Sequence, residues 1–130
     1  MKIVFLIDDD ADDREIFEES LAAEHPLVLY QDAVNGAVAF EKLRSGTFKK
    51  PDLIFLDLNM PVMDGRTFLK QIKADPDLND IPVIIYSTSS SEVDKKFAAE
   101  HQASEFLTKQ YSISSLRQDI KKTVERYLLS

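Results

Sequence analysis

The chain has 130 residues, enough for one domain that buries about two-thirds of its unfolded surface around a single core. Its 23 acidic residues outweigh 16 basic ones, and the formal net charge of −7 opposes direct binding to nucleic acid or to an anionic membrane. There is no cysteine, and the two histidines, His25 and His101, lie too far apart for zinc-ligand spacing.

In chain order, Ile3-Val4-Phe5-Leu6-Ile7 reads as a buried strand, too short for a membrane span or signal peptide and closed by Asp8-Asp9-Asp10, so a soluble, cytoplasmic protein is expected. A helix capped by Asp10 or Asp12 is expected to bury Ile16, Phe17 and Leu21 and to stop at Pro26. Leu27-Val28-Leu29-Tyr30 is the second strand. Asn35-Gly36 opens a helix carrying Ala37, Phe40 and Leu43, closed by Ser45-Gly46. Leu53 to Leu56, between Pro51 and Pro61, form a third strand buried on both faces and ending at Asp57. A helix with Phe68, Leu69 and Ile72 inward runs to Asp75-Pro76. Pro82-Val83-Ile84-Ile85-Tyr86 is the fourth strand, and Ser87 to Ser91 form a strand-to-helix turn. The next helix places Val93, Phe97 and His101 on one face. Ser104 to Thr108 is the fifth strand, followed by Lys109. A final helix, capped by Ser112, repeats Ile113, Leu116, Ile120, Val124, Tyr127 and Leu128 at three- and four-residue steps. Phe48, Phe68 and Phe97 are read as packing residues, and the lysine pairs at 49 and 50, 95 and 96, and 121 and 122 as solvated surface.

Five strands alternating with five helices predict a doubly wound (βα)5, flavodoxin-like α/β domain of three layers. Its parallel five-stranded sheet has the order 2-1-3-4-5. That order sets the first and third strands side by side at the switch point, so that Asp8, Asp9 and Asp57 converge in one crevice. Carboxylates crowded at one sheet edge raise one another's affinity for protons or for a hard cation. An oxygen-only acidic set suits Mg2+. The remaining strand ends add the hydroxyl of Ser87 and the ammonium of Lys109. A nucleophile, a charge-screening metal, a cation and a hydroxyl donor are the parts of phosphoryl transfer to a carboxylate.

The Asp8-Asp9 pair, Asp57 with Asn59-Met60-Pro61 and Met63-Asp64-Gly65, Ser87 and Lys109 stand in order at successive strand ends. In these residues the chain resembles the receiver domain of two-component response regulators, in particular the stand-alone, chemotaxis-regulator-like type, over nearly its whole length. The resemblance implies a single receiver domain spanning residues 1–130. In it Asp57 is the phosphoacceptor, Asp9 a direct magnesium ligand, Asp8 an outer-shell acid, and the backbone carbonyl of Asn59 a further ligand. It implies that Lys109 bridges Asp57 and then the phosphoryl group, that Ser87 turns toward that group, and that Phe106 couples to this movement as the switch aromatic. Asn59 and Ser89 fall at positions that tune dephosphorylation, and both being small and polar, a short-lived phosphoryl group is expected. The implied partners are a histidine kinase or histidine phosphotransfer protein. A downstream protein would bind the face of the fourth helix, fifth strand and fifth helix, which family members also use for homodimers.

Two residues depart from the family pattern. Gln110 replaces the proline that commonly follows the lysine, so the bond after Lys109 is either trans or a cis bond costing about 3 kcal/mol. Phe106 carries no hydroxyl, which favours a buried rotamer even without phosphate. These features suit an alternative, an unphosphorylated interaction module that has kept the fold. An aspartyl-nucleophile phosphatase of the haloacid dehalogenase type would want a second aspartate where Asn59 stands. A flavodoxin would need a phosphate-binding first loop, which Asp8-Asp9-Asp10 would repel.

Overall fold

The computed structural model describes residues 1–46, 48–60, 62–110 and 112–129; Pro61 of the loop motif lies outside them. Strands β1 (Ile3–Ile7), β2 (Leu29–Ala33), β3 (Leu53–Leu56), β4 (Val83–Ser87) and β5 (Glu105–Thr108) alternate with helices α1 (Ala11–Glu24), α2 (Gly36–Arg44), α3 (Gly65–Ala74), α4 (Glu92–Glu100) and α5 (Ile113–Val124). All four strand pairings are parallel, in the order β2-β1-β3-β4-β5. This is the flavodoxin-like arrangement that the alternation predicts. No helix among the described residues is long and apolar enough to cross a membrane.

β1, β3 and β4 are buried at every position because helices cover both sheet faces, and their side chains alternate between two cores. Phe5, Ile7, Ile54, Leu56 and Ile85 face α2, α3 and α4 and pack with Phe40, Phe68, Leu69 and Ile72. Val4, Leu6, Leu53, Phe55, Ile84 and Tyr86 face α1 and α5, where Phe17, Leu21, Leu116, Ile120 and Val124 close the layer. Phe17 lies edge-on to Phe55, with ring centroids 4.8 Å apart.

Several boundaries differ from the sequence reading, each for a local reason. The second strand starts at Leu29 rather than Leu27, because Val28 N–H donates to the His25 carbonyl and spends those residues on a turn, leaving Leu27 77% exposed. It then runs on through Gln31 and Asp32, whose backbone pairs with β1 whatever the side chains are. Ser87 is the last residue of β4, not the first of the turn, and β5 begins one residue later than expected, at Glu105. In α4 the Ser91 cap, accepting from Asp94 N–H, sets a phase that turns Asp94 and Ala98 inward and leaves Val93 77% exposed. Phe97 and His101 do share a face, with ring centroids 4.3 Å apart. Ile113, in the first turn of α5, is exposed, whereas Leu116, Ile120 and Val124 are buried. Beyond Val124 the helix widens into a π-helical turn, Glu125–Leu129, which carries Tyr127 and Leu128 against the core edge. Phe48 is not core; it lies exposed with the Lys42 ammonium 5.5 Å from its ring centroid.

Candidate functional site

The site lies at the carboxyl ends of β1 and β3, where the crossover order reverses and the loops splay apart. Asp57 leaves β3 with its N–H still donating to the Ile7 carbonyl at 3.0 Å, so its backbone is held as if in the strand. The Asn59 N–H donates to Asp57 Oδ1 at 3.2 Å. Helix α3 presses on the same backbone. Gly65 N–H donates to the Leu58 carbonyl, and a Cβ at Gly65 would lie 2.7 Å from Leu58 Cα and collide with the Asp57 carbonyl oxygen. Only glycine permits that approach.

Asp8 is fully buried. Its Oδ1 accepts from Asp10 N–H at 2.9 Å and its carbonyl from Arg14 Nη1 at 2.8 Å, which fixes the loop carrying the exposed Asp9. Asp10 caps α1, accepting from the N–H groups of Asp12 and Asp13. Carboxylate oxygens of Asp8, Asp9 and Asp57 lie within 4.8 Å of one another. Asp9 and Asp57, with Asp13, Asn59, Thr88 and Lys109, line a cleft of about 480 Å³, and Asp8 lies buried beneath it. A groove of about 490 Å³ along the start of α5 contains one carboxylate, Asp119, and no such cluster.

Lys109 Nζ donates to Asp8 Oδ2 and to Asp13 Oδ2, both at 2.7 Å, and stands 3.7 Å from Asp57 Oδ2. The lysine is thus shared among three carboxylates, with its shortest contacts to Asp8 and Asp13. Its N–H donates to the Ser87 carbonyl at 2.8 Å, and the bond joining it to Gln110 is trans. Ser87 is buried, its Oγ accepting from Ser89 N–H at 3.2 Å. Phe106 pairs with Ile85 in the β4–β5 register and packs, half-buried, on the core beneath α4. Ser89 turns to α4, where its hydroxyl donates to Asp94 Oδ2 at 2.8 Å.

Burial pushes the Asp8 carboxyl up to about 6; Lys109 pulls it down, and the charge of Asp57 adds to the rise. Asp57 is raised as well, first by burial, against the opposing pull of Lys109 and of the Asn59 N–H. Burial disfavours the Lys109 ammonium, but the carboxylates of Asp8, Asp13 and Asp57 outweigh it and hold the lysine charged. One ammonium therefore faces four carboxylates, Asp8, Asp9, Asp13 and Asp57. This excess of negative oxygen donors fits a hard divalent cation.

Asp8, Asp9, Asp57, Asn59, Ser87 and Lys109 are brought to one end of the sheet, as the sequence predicts. The sequence reading missed Asp13 and Thr88. Asp13 follows the cap Asp10 by three residues, a spacing that returns it to the side of the helix from which the cap projects.

Comparison with known proteins agrees with this geometry. The model of the response regulator receiver domain matches residues 4–121. Response regulator Rcp1 of Synechocystis sp. is 35% identical over 121 residues, covering 88% of this chain and 81% of Rcp1. The phosphorylated cyanobacterial phytochrome response regulator RcpA superposes with a TM-score of 0.92 at 35% identity, over 98% of this chain and 94% of RcpA. The Mn2+-bound form of Rcp1 gives 0.90 at 30%, over 98% and 95%. Two further curated relatives match over only 15% and 50% of their own lengths, so that likeness is to one part of a longer protein. The chain belongs to the response regulator receiver domain family of two-component signalling.

Proposed function

We propose that this receiver accepts a phosphoryl group on Asp57 from the phosphohistidine of a histidine kinase or phosphotransfer protein. An Asp57 carboxylate oxygen attacks phosphorus, an O–P bond forms as the P–N bond breaks, and the departing imidazole nitrogen takes up a proton. The observation that carries the reading is the convergence of Asp8, Asp9 and Asp57 within 4.8 Å, with Lys109 Nζ 3.7 Å from Asp57. Relatives solved in phosphorylated and Mn2+-bound forms support it.

In this reading Asp9, Asp57 and the Asn59 carbonyl would hold Mg2+, with Asp8 as an outer-shell acid, and the bound ion would supply screening of the charge on the phosphoryl oxygens. Lys109 has a short path to that group, because it already stands between Asp8, Asp13 and Asp57 and need only exchange partners. Ser87, whose hydroxyl only accepts from Ser89 N–H, is free to donate to a phosphoryl oxygen by rotating. Its rotation vacates space beside Ile85, the register partner of Phe106, and so biases that ring and the α4-β5-α5 face offered to a downstream protein. Asn59, exposed at the cleft, tunes the attack of water on the acyl phosphate, while the hydroxyl of Ser89, at the second tuning position, is turned to Asp94 on α4.

Titration of the isotope-labelled protein with beryllofluoride and Mg2+, followed by amide NMR, tests this reading. Saturable shifts spreading from residues 57–59 to 87–89 and 106–109 are expected. Unmoved spectra would leave a receiver fold kept for binding alone.

A further inference from the structure

Helices α3 and α4 are joined beside the site by a polar cluster that the phosphoacceptor reading does not use. Asp94, only 7% exposed, takes Arg66 Nη2 on Oδ1 at 2.6 Å and the Ser89 hydroxyl on Oδ2 at 2.8 Å. Arg66 also pairs with Asp64, the cap of α3, at 3.2 Å. The Arg66 hydrogen bond foremost, and then that of Ser89, hold the Asp94 carboxyl below its ordinary value, so it is an acceptor at neutral pH. Ser91 N–H donates to Ser89 Oγ at 3.4 Å, so this oxygen is engaged from two directions, both on the α4 side. The cleft before Asp57 is lined in this turn by Thr88 and not by Ser89.

Resting on the phosphoacceptor reading, we propose that Asp94 is a positioning residue for dephosphorylation: it draws the Ser89 hydroxyl away from the cleft and onto α4. The hydroxyl cannot then orient the water that attacks the phosphoryl group, and the phosphorylated state is prolonged. Ser89 N–H is bonded to Ser87 Oγ, so the same turn carries both the proposed switch hydroxyl and the withheld one. Hydrolysis breaks the O–P bond by addition of water, returns the Asp57 carboxylate and releases inorganic phosphate. Asp94 and Ser89 exchange no proton with the reacting atoms.

The test compares wild type with Asp94→Ala, Asp94→Asn, Ser89→Ala and the Asp94→Ala, Ser89→Ala double variant. Asp94→Asn keeps an acceptor for Ser89 if the alanine fails to fold. Without phosphate, side-chain couplings of Ser89 should show one rotamer in wild type and Asp94→Asn, and averaging in Asp94→Ala. After labelling by acetyl phosphate and Mg2+, Asp94→Ala should shorten the acyl phosphate lifetime several-fold, Asp94→Asn should lie near wild type, and the double variant should match Ser89→Ala. Averaged rotamers in wild type, or an equal effect of Asp94→Ala with and without Ser89, would overturn the role given to Asp94 alone. No uptake by wild type would overturn the phosphoacceptor reading and this role together.

Discussion

Replacing Asp8 by asparagine should stabilise the protein when divalent ions are absent and weaken its response when they are present. In the folded chain the Asp8 carboxyl is pushed from its ordinary 3.8 to about 6 by burial. A folded value above the unfolded one means the protonated form is favoured by folding. This contribution is complete below about pH 3.8 and is lost as pH rises through about 6. At 1.36 kcal/mol per pH unit, ionising Asp8 costs the folded state about 3 kcal/mol by neutral pH. Asparagine, which like the protonated acid carries no charge, avoids that cost, and the bond it takes from Lys109 is already counted in the shifted value. Urea unfolding in EDTA at pH 7.5 should therefore place Asp8→Asn about 2–3 kcal/mol above wild type, the difference closing by pH 4. Saturating Mg2+ should add about 2.7 kcal/mol to wild type at a hundredfold excess over its dissociation constant, and less to the variant. A variant less stable than wild type in EDTA at pH 7.5 would refute the reasoning, since Asp8 would then be a net stabilising partner of Lys109.

Lys109→Ala removes the cation from a buried carboxylate group and should cost roughly 3 kcal/mol in EDTA at neutral pH, read by urea unfolding. Mg2+ should recover a larger part of that loss than it adds to wild type. Val62, 78% exposed, holds φ of +64° although β-branched, so Val62→Gly should raise stability by about 1 kcal/mol in thermal unfolding. Gly65→Ala forces a methyl into the backbone of Asp57 and Leu58 and should cost about 1–3 kcal/mol. Its accompanying loss of Mg2+ affinity would be read by the metal-induced rise in midpoint temperature.

What the sequence made legible follows from how each feature is encoded. The apolar runs of β1, β3 and β4 reveal central strands because burial on both faces leaves no polar alternation to confuse them. β2 was misplaced because an edge strand is half-solvated, and its register is set by backbone pairing with β1 rather than by its own hydrophobic run. In α4 the hydrophobic pattern points Val93 to the face of Phe97 and His101, yet Val93 is exposed. The Ser91 cap and the ion pair with Arg66 chose Asp94 instead. The carboxylates at the strand ends were legible because topology alone gathers them. Asp13 was not, since its partner Lys109 is 96 positions away and the pairing depends on where α1 begins. Asp94 was hidden in the same way, its contact with Arg66 spanning 28 positions between two helix starts.

The central claim is that Asp57 is the nucleophile, and intact-mass measurement after incubation with acetyl phosphate and Mg2+ tests it most directly, with Asp57→Ala alongside. The account predicts a phosphoryl-sized gain in wild type that disappears in EDTA and is absent from the variant. An equal gain in Asp57→Ala, or none in wild type, would contradict it.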